Sequence, residues 1–225
     1  MSQVNIAIDG PAGAGKSTVA QQVAKRLHLL YIDTGAMYRA LTYIALTRGC
    51  PLTEEHQLRR LLDDIQIELM SGENGQTVYV NGRDVTREIR TTEVTNHVSL
   101  VAAYPSIRER MVELQRNMAE KKSVVMDGRD IGTNVLPNAD LKVFLTASHE
   151  ERARRRYQEL LERGIRANQS QLGLDIAERD RKDSQREIAP LKQAEDAILF
   201  DSTGLTIDQV VDRIVALYHE MKERA

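Results

Sequence analysis

The chain is poor in the residues that build cross-links and metal centres. Cys50 is its only cysteine, so no intrachain disulfide can form, a Cys-rich metal site is excluded, and a reducing compartment suits it. The five histidines, His28, His56, His97, His149 and His219, show no metal-ligand spacing. No apolar run approaches the roughly 18 residues needed to span a bilayer. Met1-Ser2-Gln3 leads straight into an apolar segment, with no room for a signal sequence. A cytoplasmic protein without a membrane partner is therefore expected. Charge of one sign is also lacking. The 31 Lys and Arg stand against 33 Asp and Glu, a formal net charge of -2, which argues against a nucleic-acid partner and makes any anion site local. With 41% apolar and 28% charged residues over 225 positions, the composition is that of one globular unit with room for inserts.

What is present is sharper. Val4-Asn5-Ile6-Ala7-Ile8-Asp9 runs into Gly10-Pro11-Ala12-Gly13-Ala14-Gly15-Lys16-Ser17-Thr18, an apolar strand opening into a complete G-x-x-x-x-G-K-S phosphate loop. The glycines let the backbone curl with its N–H groups inward, and the helix that follows (Val19, Val23, Leu27) turns its positive end to the anion. Lys16 is expected at the loop surface, reaching the terminal phosphates, and the Ser17 hydroxyl is placed to ligate magnesium. ATP as co-substrate and Mg2+ are the implied cofactors.

Short apolar runs at 4–8, 29–32, 124–126, 141–145 and 197–200 alternate with amphipathic helical stretches. That rhythm predicts an α/β fold with a parallel sheet covered by helices. Ser148 with Glu151, and Thr206 with Gln209, read as capping boxes. One segment breaks the rhythm. Residues 65–69 and 77–80 alternate strictly, Ser71-Gly72-Glu73-Asn74-Gly75 is turn chemistry, and Asn81-Gly82 is a hairpin signal. The expectation is a single unit over 1–225, with a core of 1–60 and 100–225, a small antiparallel insert at about 61–99, and a short lid at about 150–170.

Ligands of open parallel sheets bind beyond the carboxyl ends of the strands. There stand Asp33-Thr34-Gly35-Ala36-Met37-Tyr38-Arg39 after the second run and Asp127-Gly128-Arg129-Asp130 after the third. Arg39 and Arg129 thus share a rim with the phosphate loop, and guanidinium is the preferred partner of phosphate. After the fourth run comes Glu150-Glu151-Arg152-Ala153-Arg154-Arg155-Arg156, with Arg163 further on. These arginines repel one another unless anions or the i,i+4 partners (Glu151 with Arg155, Glu159 with Arg163) neutralise them. They read as lid arginines, with Gly164 and Asn168 softening the chain behind them. Arg179, Asp183 and Arg186 fall on one helix face, where an Arg179–Asp183 pair is an equal reading. Asp127 ends its strand as a magnesium-holding carboxylate would, or as a helix N-cap or a loop-fixing carboxylate would. Arg108 and Ser99 lie outside this pattern.

Together these motifs resemble the nucleoside monophosphate kinases of the P-loop class, and within them the bacterial cytidylate kinases. The likeness rests on residues 8–17, 33–39, 127–130 and Glu178-Arg179-Asp180-Arg181-Lys182-Asp183 with Arg186 and Ala189-Pro190-Leu191, in this order and with an insert of about forty residues. It implies a P-loop NTPase fold with a five-stranded parallel core and transfer from ATP to CMP and dCMP. It assigns the ATP phosphates to Gly10 through Thr18 and the monophosphate to Arg39, Arg129 and Arg186. The cytosine edge goes to Ser99, Arg108 and Asp130, and the sugar hydroxyls to Arg179 and Asp183. Thr34 stands where the family often has serine, beside the acceptor. Lys16, Arg39, Arg129, Arg152 and Arg156 are the catalytic candidates, and Ser17 and Asp127 the metal candidates. The acceptor is a phosphate oxygen, so no general base is called for. A monomer is expected. Other small acceptors, such as UMP or a nucleoside, stay open. A P-loop switch is disfavoured, because no Asn-Lys-x-Asp guanine-reading segment occurs.

Overall fold

The computed structural model describes residues 3–72, 75–162 and 164–224. Glu73, Asn74 and Arg163, each named in the expectations above, lie outside them. Strand β1 (Asn5–Asp9) leads through the phosphate loop into α1 (Lys16–Leu27). Then come β2 (Leu30–Asp33), α2 (Thr34–Thr47), α3 (Glu55–Asp63), β3 (Ile67–Gly72), β4 (Gly75–Val80), β5 (Arg83–Asp84), α4 (Thr92–Val101) and α5 (Pro105–Ala119). The chain returns to the main sheet with β6 (Val124–Gly128) and β7 (Leu141–Thr146), continues through α6 (His149–Glu162) and α7 (Gln169–Ser184), and ends with β8 (Ile198–Asp201) and α8 (Ile207–Arg224).

The five apolar runs form one parallel sheet in the order β2-β6-β1-β7-β8. Strands β1 and β6 are apolar on both faces because helices cover both. Val4, Ile6 and Ile8 pack with Val19, Val23, Val211 and Ile214 on one side, while Ala7, Met126 and Ile131 pack with Val112 and Ala119 on the other. The register brings the strand ends level, pairing Asp33 with Asp127, Ile8 with Asp127 and Asp9 with Gly128. The carboxylates that close these strands thus lie along one rim with the phosphate loop.

Strands β3, β4 and β5 form a separate antiparallel sheet. Its second turn is the one Asn-Gly demands, with both residues at positive φ (Asn81 50°, Gly82 76°). The alternation of the sequence is real packing: Ile67, Val78 and Val80 are buried against α2, α3 and α5 through Leu41, Leu58, Leu62 and Met111. The amide of Gln76 in β4 ties this sheet to the open edge of β2, donating to Tyr31 O (2.6 Å) and accepting from Asp33 N (3.2 Å).

Of the two capping boxes, that of Thr206 and Gln209 is reciprocal. In the other, Glu151 N donates to Ser148 Oγ, but the Glu151 carboxylate turns to Arg154 and Arg155. Asn168, expected to soften the chain, caps α7 instead, accepting from Gln171 N.

Candidate active site

The phosphate loop takes its shape from backbone that only glycine supplies. Gly10, Gly13 and Gly15 all have positive φ, and a Cβ on Gly10 would stand 1.9 Å from Leu145 O, so no side chain fits there. Lys16 opens α1, yet it is not on the surface. It is buried, its Nζ donates to Pro11 O (2.7 Å), and burial together with the nearby Arg129 charge holds its ammonium well below the usual lysine range.

Beside the loop, Ser17 Oγ donates to Asp127 Oδ2 (2.8 Å) and Tyr31 Oη to Asp127 Oδ1 (2.9 Å). Asp127 lies inside β6 and caps no helix; by accepting from Ser17 and Tyr31 it fixes the end of the phosphate loop, a position that is compatible with holding magnesium as well. Burial, reinforced by Asp33, pushes its carboxyl up to about 6. A buried carboxylate so weakly compensated by its own protein fits a divalent cation, which would share it with Ser17. Among the described residues, no cluster of three or more His, Cys, Asp or Glu offers a second metal centre.

The loop faces a cleft of about 280 Å³. Thr34, Arg39, Ser99, Arg108, Arg129, Asp130, Arg156, Arg179, Asp183 and Arg186 line it, together with Lys16, Ser17, Thr18 and Asp127. Residues from β2, α2, α4, α5, β6, α6 and α7 and their flanks are thus brought to one cavity. Arg39 pairs with Asp33 (2.9 Å), which caps α2 through Ala36 N. Asp33 is held below the usual carboxylate range because Arg39 and Arg90 outweigh its burial. Arg129 pairs with Asp183 (2.9 Å); among the described residues Arg179 makes no ion-pair contact with Asp183, although the two charges attract. Arg179 is half-buried with its Nε shielded from solvent, and this shielding together with the Arg129 charge pushes it down to about 10. Arg186 donates to Asp183 O (3.2 Å).

These cations keep unused donors. Arg39 Nε, Arg108 Nε, Arg179 Nε and Arg186 Nη2 are buried with no hydrogen-bond acceptor among the described residues. Buried N–H groups are normally paired, and each left unmade costs about 1 to 3 kcal/mol. Several such guanidinium groups around one cavity match an anion with many oxygens.

The cleft floor differs. Arg108 is 2% exposed, lies over the Tyr38 ring (5.7 Å), and pairs with Asp130 at 2.5 Å. Asn134 Nδ2 also donates to Asp130 Oδ2 (3.0 Å), leaving Oδ1 with no donor among the described residues. Asp130 therefore pairs with Arg108 and not with its neighbour Arg129. The Thr34 hydroxyl is already spent, donating to Asp127 O (2.7 Å), so toward a ligand it can only accept.

The structure separates the two lid candidates. Arg156 lines the cleft and pairs with Glu159. Arg152 does not line it. It is buried behind the loop, donating to Ala12 O (2.9 Å) and Ala147 O (3.1 Å) and pairing with Asp180. The expectation that Arg152 reaches the transferring group is revised accordingly, since its guanidinium is engaged on the far side of the loop backbone. Sequence reasoning also missed Asp180, Arg90, Tyr31 and Asp9. Asp9 carries a readable sign, a carboxylate closing an apolar strand; it accepts from Ile131 N (2.8 Å) and Gly132 N (2.7 Å), and burial pushes it up to about 6.

A P-loop between β1 and α1 of a five-stranded parallel sheet, facing an arginine-lined cleft, defines a P-loop phosphotransferase. Comparison with known proteins narrows it. The family described as cytidylate kinase matches residues 6–220. A cytidylate kinase of Geobacillus sp. (strain WCH70) is 59% identical over 97% of this chain and 98% of its own length, and one of Bacillus subtilis (strain 168) is 54% identical over 95% of each. The chain belongs to the cytidylate kinase family and is a nucleoside monophosphate kinase. Among solved structures, an uncharacterized protein from Eubacterium ventriosum ATCC 27560, 14% identical, covers 97% of this chain and 99% of its own with a TM-score of 0.55, a likeness of fold alone.

Proposed function

We propose that the chain transfers the terminal phosphoryl group of ATP to CMP, and to dCMP, giving ADP and the pyrimidine diphosphate. The observation that carries this reading is one cleft combining a phosphate loop, arginines with buried and unused donors, and a buried carboxylate presenting a free oxygen at the floor. Gly10 through Thr18 would hold the ATP phosphates, and Arg39, Arg129 and Arg186 the acceptor phosphate. Asp130 Oδ1 would take the cytosine amine, with Arg108 and Ser99 beside it. Arg179 and Asp183 would meet the sugar, and Thr34 would accept from the acceptor nucleotide.

In the transfer, an acceptor phosphate oxygen forms the new P–O bond as the bond from the γ phosphorus to the β,γ-bridging oxygen breaks, and the electron pair leaves with ADP. The acceptor oxygen is already largely ionised at neutral pH, its second pKa being about 6, so no side chain need take a proton. Positioning and charge stabilisation by Lys16, Arg39, Arg129 and Arg156 then supply the rate. Mg2+ held by Ser17 and Asp127 would neutralise charge on the β and γ phosphates. Residues 61–99 would form the acceptor-binding insert and about 150–170 the lid, whose closure excludes water. Among the described residues no helix is long and apolar enough to cross a membrane; we read the enzyme as cytoplasmic. We read it as monomeric, with small nucleotides and no nucleic acid as partners.

Calorimetric titration with CMP and with cytidine tests the acceptor reading. With each arginine–phosphate contact worth about 1.5 to 3 kcal/mol, cytidine should bind at least about a hundredfold more weakly. Equal affinities would refute the phosphate assignment.

A further inference from the structure

Asp180 belongs to neither the phosphate loop nor the acceptor arginines, yet it joins them. Helix α7 presents Arg179 and Asp183 to the cleft. Asp180, the next residue after Arg179, instead accepts a hydrogen bond from Ala12 N (2.9 Å) through Oδ1 and pairs through Oδ2 with Arg152 of α6. Arg152 Nη1 in turn donates to Ala12 O (2.9 Å). Both polar backbone atoms of one phosphate-loop residue are thus gripped by an acid and a base from two different helices. The packing admits little slack, because a Cβ on Gly13 would lie 3.2 Å from both the Cβ and the carbonyl oxygen of Arg152.

We propose that Asp180 is a positioning residue for phosphoryl transfer: with Arg152 it clamps Ala12 and so sets the spacing between the phosphate loop and the cleft face of α7. This rests on the reading of the cleft as the CMP site. Its physical basis is that transfer between two bound phosphates depends on alignment, and a displacement of about 1 Å can cost about a hundredfold in rate. The double variant removes both charges of the clamp and changes the field that binds anions little, while Asp180→Ala leaves an uncancelled Arg152 charge that favours anions, so neither variant raises KM through charge. The loop N–H groups, Lys16 and the cleft arginines, which supply affinity, remain when it is lost. The effect should therefore fall on kcat and spare KM.

The test is steady-state kinetics of the full chain with ATP and CMP for wild type, Asp180→Ala, Arg152→Ala and the double variant, with thermal melting of each. Asp180→Ala should lower kcat by about 10- to 100-fold with neither KM value raised by more than about threefold. The double variant should be no worse than about threefold below the poorer single variant, because removing either partner already opens the clamp. Should Asp180→Ala not fold, the near-isosteric Asp180→Asn, which cannot offset the Arg152 charge, is held to the same criteria. A kcat within threefold of wild type, losses that multiply in the double variant, or a loss confined to KM for ATP would each overturn the clamp. A wild type that releases no ADP in response to CMP would overturn the acceptor reading first, and the clamp with it.

Discussion

The Asp130 carboxylate allows a prediction that fixes a direction as well as a loss. Asp130 Oδ2 receives hydrogen bonds from Arg108 Nη2 (2.5 Å) and Asn134 Nδ2 (3.0 Å), and the guanidinium is a donor that cannot reverse. In Asp130→Asn the amide oxygen must take that place, which puts the new NH2 where Oδ1 faced the cleft. A donor then meets the cytosine amine, also a donor, while the uracil carbonyl gains a partner. Losing a hydrogen bond to a charged group costs about 1.5 to 3 kcal/mol, so kcat/KM for CMP should fall by about 10- to 150-fold. UMP, relieved of facing a carboxylate, should improve, and the CMP to UMP ratio should move by roughly a hundredfold or more. The Arg108 guanidinium keeps an acceptor, so the fold should survive at a cost of about 1 to 3 kcal/mol, read as a melting temperature lower by several degrees. Measuring kcat/KM for both nucleotides on wild type and variant decides the matter. If both rates fall together with an unchanged ratio, Asp130 serves only to hold Arg108, and the base-reading argument is wrong.

Lys16→Ala should lower turnover by about three orders of magnitude or more while far-ultraviolet circular dichroism stays native, since among the described residues Lys16 bonds only to Pro11 O; near-normal turnover would remove the donor-site assignment. Arg129→Ala and Arg39→Ala should each weaken CMP binding by about 1.5 to 3 kcal/mol with little change for ATP, and separate titrations showing the reverse would displace both arginines from the acceptor side. Asp9 carries a pH signature. Its carboxyl is raised from an ordinary value near 3.8 to about 6, so between those values the folded state binds more protons than the unfolded one, and stability falls as pH rises through that window. Relative to Asp9→Asn, which does not titrate, wild type should lose about 2 kcal/mol between pH 4 and pH 7; a difference independent of pH would show that the burial of Asp9 is not what perturbs it.

Much of the site was legible because its signals are local in sequence. The phosphate loop is a contiguous motif whose glycines meet steric demands at fixed places, as Gly10 against Leu145 O shows. Asp33, Asp127 and Arg129 could be found because strand ends in a parallel sheet share a rim. Arg108 escaped that logic, yet it left a trace: it falls with Met111, Val112 and Gln115 on the buried face of α5, where an arginine demands a partner. The roles of Arg152 and Arg156 could not be divided by spacing, since both sit in one arginine run. Only the packing of α6 on Ala12 and Gly13 sends the first behind the loop. Asp180 was hidden for a similar reason, because in an Arg-Asp-Arg-Lys-Asp stretch a charge that grips the backbone of a distant loop looks like any solvated one.

The most direct test of the account is a coupled assay of ADP release by the purified chain with ATP and Mg2+ against a panel of CMP, dCMP, UMP, AMP, GMP and cytidine. CMP should drive rapid release, with dCMP also used, UMP far slower, and cytidine inert for want of a phosphate to engage Arg39, Arg129 and Arg186. Release driven equally by UMP, by a purine monophosphate or by cytidine, or no response to CMP, would contradict the proposed function.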